Sequence, residues 1–194
     1  MSQHRKSILR KTTFFGTLFA GAILASYLIV NWPALDLQIR YLANQLPALP
    51  PLSTDQDTLQ IAKIGVAAPL IWPETDDPNF LQSALLSGIV HFPETAVPGA
   101  TGNGVYIGHS SNYWWEKSDY NTIFGLLEKL QIGDSIVINY NGQTFKYQVT
   151  ANKIVAKNDP EIFATTTTSQ ITLVTCWPRG TNLKNFYVRA DLID

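Results

Sequence analysis

The chain has 194 residues, 45% of them hydrophobic and 15% charged, with a formal net charge of −1. That is enough apolar material for one packed domain and too little charge for a disordered or polyelectrolyte chain. Arg5, Lys6, Arg10 and Lys11 lie in the first eleven residues with no acid among them, so residues 12–194 carry 10 bases against 15 acids, a net of −5. Such a domain suits a phosphate backbone poorly, and no nucleic-acid partner is expected. Cys176 is the single cysteine, which excludes an intramolecular disulfide, a cysteine-based zinc cage and an iron–sulfur site.

Residues 1–11 read as a basic cytoplasmic tail and residues 12–32 as a transmembrane anchor. No charged side chain occurs from Thr12 to Leu35, and TFFGTLFAGAILASYLIV is apolar over a length that matches a bilayer core of about 30 Å. A cleaved signal has a shorter apolar region, of about 7–15 residues, and Trp32 suits a membrane interface. The basic residues before the span place the N-terminus in the cytoplasm and the remainder of the chain outside the cell membrane. Residues 33–57 contain Pro33, Pro47, Pro50 and Pro51 and read as a stiff juxtamembrane spacer, in which ALDLQIRYLANQL could form a short amphipathic helix.

Residues 58–194 are expected to form the domain. TLQIAKIG and VAAPLIW predict two short strands separated by Gly65, and PNFLQSALLSG has helical spacing closed by Gly88. GIVHFP predicts a strand, ETAVPGATGN a loop, and GVYIGH a strongly apolar strand ending on His109. YNTIFGLLEKLQIGD repeats apolar residues at Ile123, Leu126, Leu127 and Leu130 and predicts the best helix of the domain. SIVINY and QTFKYQVT flank Asn141-Gly142, the dipeptide of a type I′ hairpin turn. ITLVTC and NFYVRADLI complete seven or eight strands with two short helices, a pattern that predicts a mainly β, closed or nearly closed barrel.

Two residues at strand ends draw attention as chemistry. A cysteine thiolate attacks a carbonyl, and a neighbouring imidazole supports its ionisation and protonates a leaving amine. Cys176 and His109 have the residue types and strand-end positions for this, although 67 positions separate them; a third, cationic group remains open. Equally, an isolated cysteine is often a small buried hydrophobe. His4 in the basic tail and His91 in an apolar strand read as bystanders.

TLVTC, residues 172–176, resembles the TLxTC signature of the sortases, and GVYIGHSSN resembles the strand that delivers the sortase histidine. IAKIGVAAPL, LLSGIVHFPETAVPGATGN and TCWPRGTNLKNFYVRA are similar to the family's opening strands, pre-histidine segment and closing hairpin, in the same order. The resemblance implies a sortase-type barrel of seven to eight strands and a membrane-anchored cysteine transpeptidase. Such an enzyme cleaves an LPXTG-type sorting signal, holds the acyl part as a thioester and transfers it to an amine, on a cell-wall precursor or a pilin lysine. It implies Cys176 as nucleophile, His109 as acid/base, and Thr175 as a residue that helps position the acyl carbonyl. Neither a metal nor an organic cofactor is expected. Glu116, Asp119, Asp159 and Glu161 are scattered, which leaves a loop calcium site unsupported.

One position departs from the family pattern. Counting back from Ala190 places Asn185 where the family has an arginine for substrate and oxyanion. Phe186, Val188, Ala190 and Leu192 share one strand face, leaving Asn185, Tyr187 and Arg189 on the other. Arg189 is the favoured substitute, with Arg179 as the other candidate and Asn185 itself as a neutral donor. A hydrolase using water as acceptor, and a catalytically weak peptide-binding domain, are the alternatives to transfer.

Overall fold

The computed structural model describes residues 3–50, 55–112 and 115–194. The chain divides into two compact units, Met1–Asp36 and Leu37–Asp194. One long helix, α1, runs Gln3–Leu42. Within the first unit its apolar side chains, among them Phe14, Phe19, Ile23 and Ile29, are exposed. Among the described residues no helix is long and apolar enough to cross a membrane. The helix also continues without a break past Pro33, where the sequence reads as the start of a stiff spacer holding a short helix of its own.

The second unit is a closed barrel of eight strands in the order β1-β2-β3-β4-β7-β8-β6-β5. The strands are β1 Thr58–Ile61, β2 Val66–Ile71, β3 Ile89–His91, β4 Gly102–Ile107, β5 Ser135–Tyr140, β6 Gln143–Ala156, β7 Ser169–Trp177 and β8 Lys184–Leu192. Alternation builds them: Ile136 and Ile138 in β5, Ile171 and Leu173 in β7, and Val188 and Ala190 in β8 are buried inside. Asn141 and Gly142 turn β5 into β6 at φ of 49° and 74°, as the hairpin signal predicts. The pairs β2/β3 and β4/β7 are parallel and the others antiparallel. The helix α2, Pro78–Ala84, lies in the crossover that the first parallel pair requires. Asp77 caps it by accepting from the Asn79 and Phe80 amides, with Pro78 at a helix start where no amide is needed.

The helix predicted from YNTIFGLLEKLQIGD is absent. That stretch is a chain of tight turns with one 3-10 turn at Leu127–Lys129. Phe124, Leu126, Leu127 and Leu130 are each at most 1% exposed, so the apolar positions enter the barrel core from more than one side of the segment. The Phe124 amide donates to the His109 carbonyl, while Ile123, Gly125 and Leu127 donate to carbonyls three residues back. Packing into the barrel end therefore overrides an intrinsic helical preference.

A one-residue irregularity in β6 bears on the site. Val149 pairs with Ala190, yet Ala151 pairs with Arg189, leaving Thr150 as an extra residue. Before this bulge Tyr147 and Val149 point into the core; after it Lys153 and Val155 pair with Tyr187 and Asn185 on the outer face. The same unit includes the end of α1: Leu37, Tyr41 and Leu46 pack against the barrel core, so this part of the predicted spacer is structural. Gly65, at φ 65°, admits Leu46, whose Cβ lies 3.2 Å from where a glycine Cβ would stand.

Candidate active site

Parallel pairing of β4 with β7 aligns Gly102 with Ser169 and continues in step to Ile107 with Val174. The offset is constant at 67 positions, the interval that separates His109 from Cys176. Continued two residues past Ile107, the register sets these two side by side on neighbouring chains, whose spacing is about 4.8 Å. Three bonds carry the alignment past the end of β4. The Gly108 amide donates to the Val174 carbonyl at 3.1 Å. The Thr175 hydroxyl donates to the Gly108 carbonyl at 2.8 Å, and the Gly180 amide donates to Ser111 Oγ at 2.9 Å.

Both side chains lie on the outer face of the barrel. Val105 and Val174, in alternation with His109 and Cys176, belong to a cluster outside the barrel with Val155, Ile162 and Tyr187. Each is partly buried. Burial pushes the Cys176 thiol up, against the pull of the Lys157 ammonium, and pushes the His109 imidazole down. Near neutrality the resting pair is thus a thiol beside a neutral imidazole. His109 Nε2 is buried and has no hydrogen-bond partner among the described residues.

Beside this pair, the segment between β6 and β7 is fastened onto the same face. Its 3-10 turn, Pro160–Phe163, brings the Glu161 carbonyl within 2.6 Å of Arg189 Nη2 and its carboxylate within 2.6 Å of both Tyr187 Oη and Lys153 Nζ. Asn103 donates to the Ile162 and Ala164 carbonyls and accepts from the Thr172 hydroxyl. Phe163 meets Phe92 edge to face at 4.9 Å. Among the described residues no group of three His, Cys, Asp or Glu side chains could hold a metal ion.

The remaining sequence candidates fall into place unequally. Asn185 pairs directly with Cys176, but its amide is engaged: Nδ2 donates to the Thr175 carbonyl at 3.3 Å and Oδ1 accepts from the Asn158 amide at 2.9 Å. Arg189 does share the Asn185 face, yet it pairs with Thr172, four residues from the cysteine and about 13 Å along the strand. Its guanidinium turns to Glu161 and lies over the Tyr187 ring at 4.9 Å. The structure therefore does not bring Arg189 to the thiol; its bonds hold the β6–β7 segment. Arg179 is directed to Glu128 at 3.8 Å, with its side chain 14% exposed. Thr175 is 4% exposed on the inward register, and its hydroxyl is spent on Gly108, so it aligns the two strands rather than meeting a ligand in the groove. His91 is a core histidine, stacked between Trp72 and Tyr106 and bonded to Ala96 and Thr95. Lys157, whose ammonium pulls on the thiol, is not among the sequence candidates, because the bulge in the strand before it carries no distinctive residue.

A thiol held on a strand end beside an imidazole, with an apolar wall along the face, defines a cysteine enzyme of acyl transfer. A family model, Sortase domain, matches residues 59–193. Among solved structures, the Clostridium perfringens sortase D5 transpeptidase is 29% identical, with a TM-score of 0.58 over 72% of this chain and 79% of that one. Sortase A from Corynebacterium diphtheriae is 30% identical, with a TM-score of 0.61 over 84% and 69%. A curated Bacillus subtilis protein, the sortase candidate YwpE, is 31% identical over 74 residues, 38% of this chain and 72% of its own. The chain belongs to the sortase family, whose members are cysteine transpeptidases.

Proposed function

We propose that this sortase cleaves an LPXTG-type sorting signal through a thioester on Cys176 and passes the acyl group to an amine. The observation that carries the reading is the common register of β4 and β7, in which His109 and Cys176 share one 67-residue offset with six pairs of the ladder. In the first step the Cys176 sulfur bonds to the scissile carbonyl carbon, its proton having passed to His109. The carbon–nitrogen bond then breaks and His109 Nε2 or Nδ1 gives that proton to the departing amine. In the second step an incoming amine attacks the thioester, loses a proton to His109, and the thiolate leaves. Water in place of the amine gives the hydrolase outcome.

The burial directions agree with this cycle. A neutral imidazole is ready to accept the thiol proton as the sulfur attacks. We further propose that the chain is a single-pass membrane protein with an extracellular catalytic domain, supported by the charge-free stretch from Thr12 to Leu35 and the four bases before it. The acceptor would be a cell-wall precursor or a pilin lysine. A catalytically weak peptide-binding domain is the second reading, favoured by the engaged Asn185 amide beside the thiol.

The test is incubation of the protein with a panel of sorting-signal peptides, with and without an amine, followed by mass spectrometry. A Cys176 acyl adduct that the amine discharges as a new amide supports transfer. Discharge to acid alone supports hydrolysis, and no adduct with any peptide supports the binding reading.

A further inference from the structure

Of the cations near this face, Arg179 and Arg189 are turned elsewhere, to Glu128 and Glu161. Lys157 is different. It follows β6 by one residue, in a tight turn completed by Asn158 at φ 58°. The β6 bulge sets Val155 on the outer face opposite Asn185, and Asn185 in turn pairs with Cys176, so the three form one row across β6, β8 and β7. Lys157 lies two residues beyond Val155, in the turn at the exit of that row. The turn is fastened to the row itself, because the Asn158 amide donates to Asn185 Oδ1. Lys157 is exposed and its side chain makes no hydrogen bond or ion pair among the described residues, whereas Lys153, four residues earlier, is committed to Glu161.

We propose that Lys157 supplies the positive charge of the active site, and that Asn185, standing where the family carries its arginine, positions Lys157 by holding the Asn158 turn. The proposal rests on Cys176 being the nucleophile. The charge has moved from β8 to the exit of the adjacent strand, and the residue at the old position has become its tether. In the apo protein the ammonium favours the thiolate. In the acyl step it faces the carbonyl oxygen that gains charge, in a groove that bound peptide makes drier. The titratable groups near the thiol are His109 from the β4 exit and Lys157 from the β6 exit; Tyr187, Arg189 and Glu161 form a separate cluster farther down the face.

The experiment measures iodoacetamide alkylation of Cys176 against pH, and single-turnover acylation by a sorting peptide, in the full chain in detergent. Lys157→Met should move the alkylation profile to higher pH and slow it near neutrality by about three- to fivefold, the order expected of one partly screened unit charge. Acylation should fall by about tenfold or more. Lys157→Arg should restore both, and Asn185→Leu should move the profile in the same direction by a smaller amount. Lys184→Met, one register step beyond Asn185, should leave the profile in place. Thermal melting of each variant separates loss of charge from loss of fold. An unmoved profile in Lys157→Met, or an equal movement in Lys184→Met, overturns the proposal. Alkylation needs no sorting peptide, so a protein that no peptide acylates fails the transpeptidase reading while the alkylation series still decides the role of Lys157.

Discussion

Thr175→Val tests whether the strand register creates the site. The substitution keeps size and β-branching and removes one hydroxyl, which donates to the Gly108 carbonyl at 2.8 Å and is fully enclosed. Losing that bond and leaving the buried carbonyl without its donor costs about 2 kcal/mol. For a unit the size of Leu37–Asp194, each kcal/mol lowers Tm by roughly 2–4 °C, so a fall of about 4–8 °C is expected. Gly108 is the residue before His109, and its amide still holds Val174, so the ladder should loosen without parting. A slip of about half an ångström between His109 and Cys176 would slow acylation by about tenfold. Thr175→Ser keeps the donor and should recover most of the rate. Calorimetry and single-turnover mass spectrometry read the two quantities. A normal Tm together with normal acylation in Thr175→Val would refute the reasoning, and a lowered Tm with an unchanged rate would confine Thr175 to holding the barrel.

Cys176→Ala should abolish adduct formation while moving Tm by no more than about 2 °C, since the lost sulfur lies at a partly exposed strand end; residual adduct on another residue in the mass spectrum would contradict the assignment. His91 and His109 are both held below the ordinary histidine value by burial, so the unfolded chain binds more protons. Their stability contribution is complete above about pH 6.5 and is lost as pH falls toward the folded values, and the urea midpoint should drop between pH 7.5 and 5.5. A midpoint that rises over that interval would reverse the sign. A chain started at Asp57 loses the contacts of Leu37, Tyr41 and Leu46 with the core. It should be about 3 kcal/mol less stable than one started at Leu37, which paired denaturation curves measure directly.

The strands were legible because their signals are local. Alternation marks Ile136 and Ile138, Asn141-Gly142 turns the hairpin, and TLVTC with GVYIGH points to both strand ends at the site. What was not legible depends on partners distant in sequence. Residues 120–134 have helical spacing, yet their amides and apolar side chains are claimed by the barrel end. Leu37 and Tyr41 look like the face of a spacer helix until the core they cover is known. Arg189 sits on the expected face, but its distance from Cys176 and its commitment to Glu161 follow from pairing register and from a loop that folds back. Thr175 looks like a substrate contact in a linear motif; the parallel partner that takes its hydroxyl lies 67 residues upstream.

The extra residue at Thr150 gives β6 two opposite phases, one on each side of it. Substitutions along the strand change single side chains, whereas loss of the Thr150 codon would remove the bulge and leave Val149 opposite Ala190 and Ala151 opposite Arg189 in an unbroken ladder. Val155 would stay opposite Asn185 and keep the row that reaches Cys176, while the bend and added twist that the bulge gives the strand would be lost. The shape of the groove is thus stored in the length of one strand as much as in its letters.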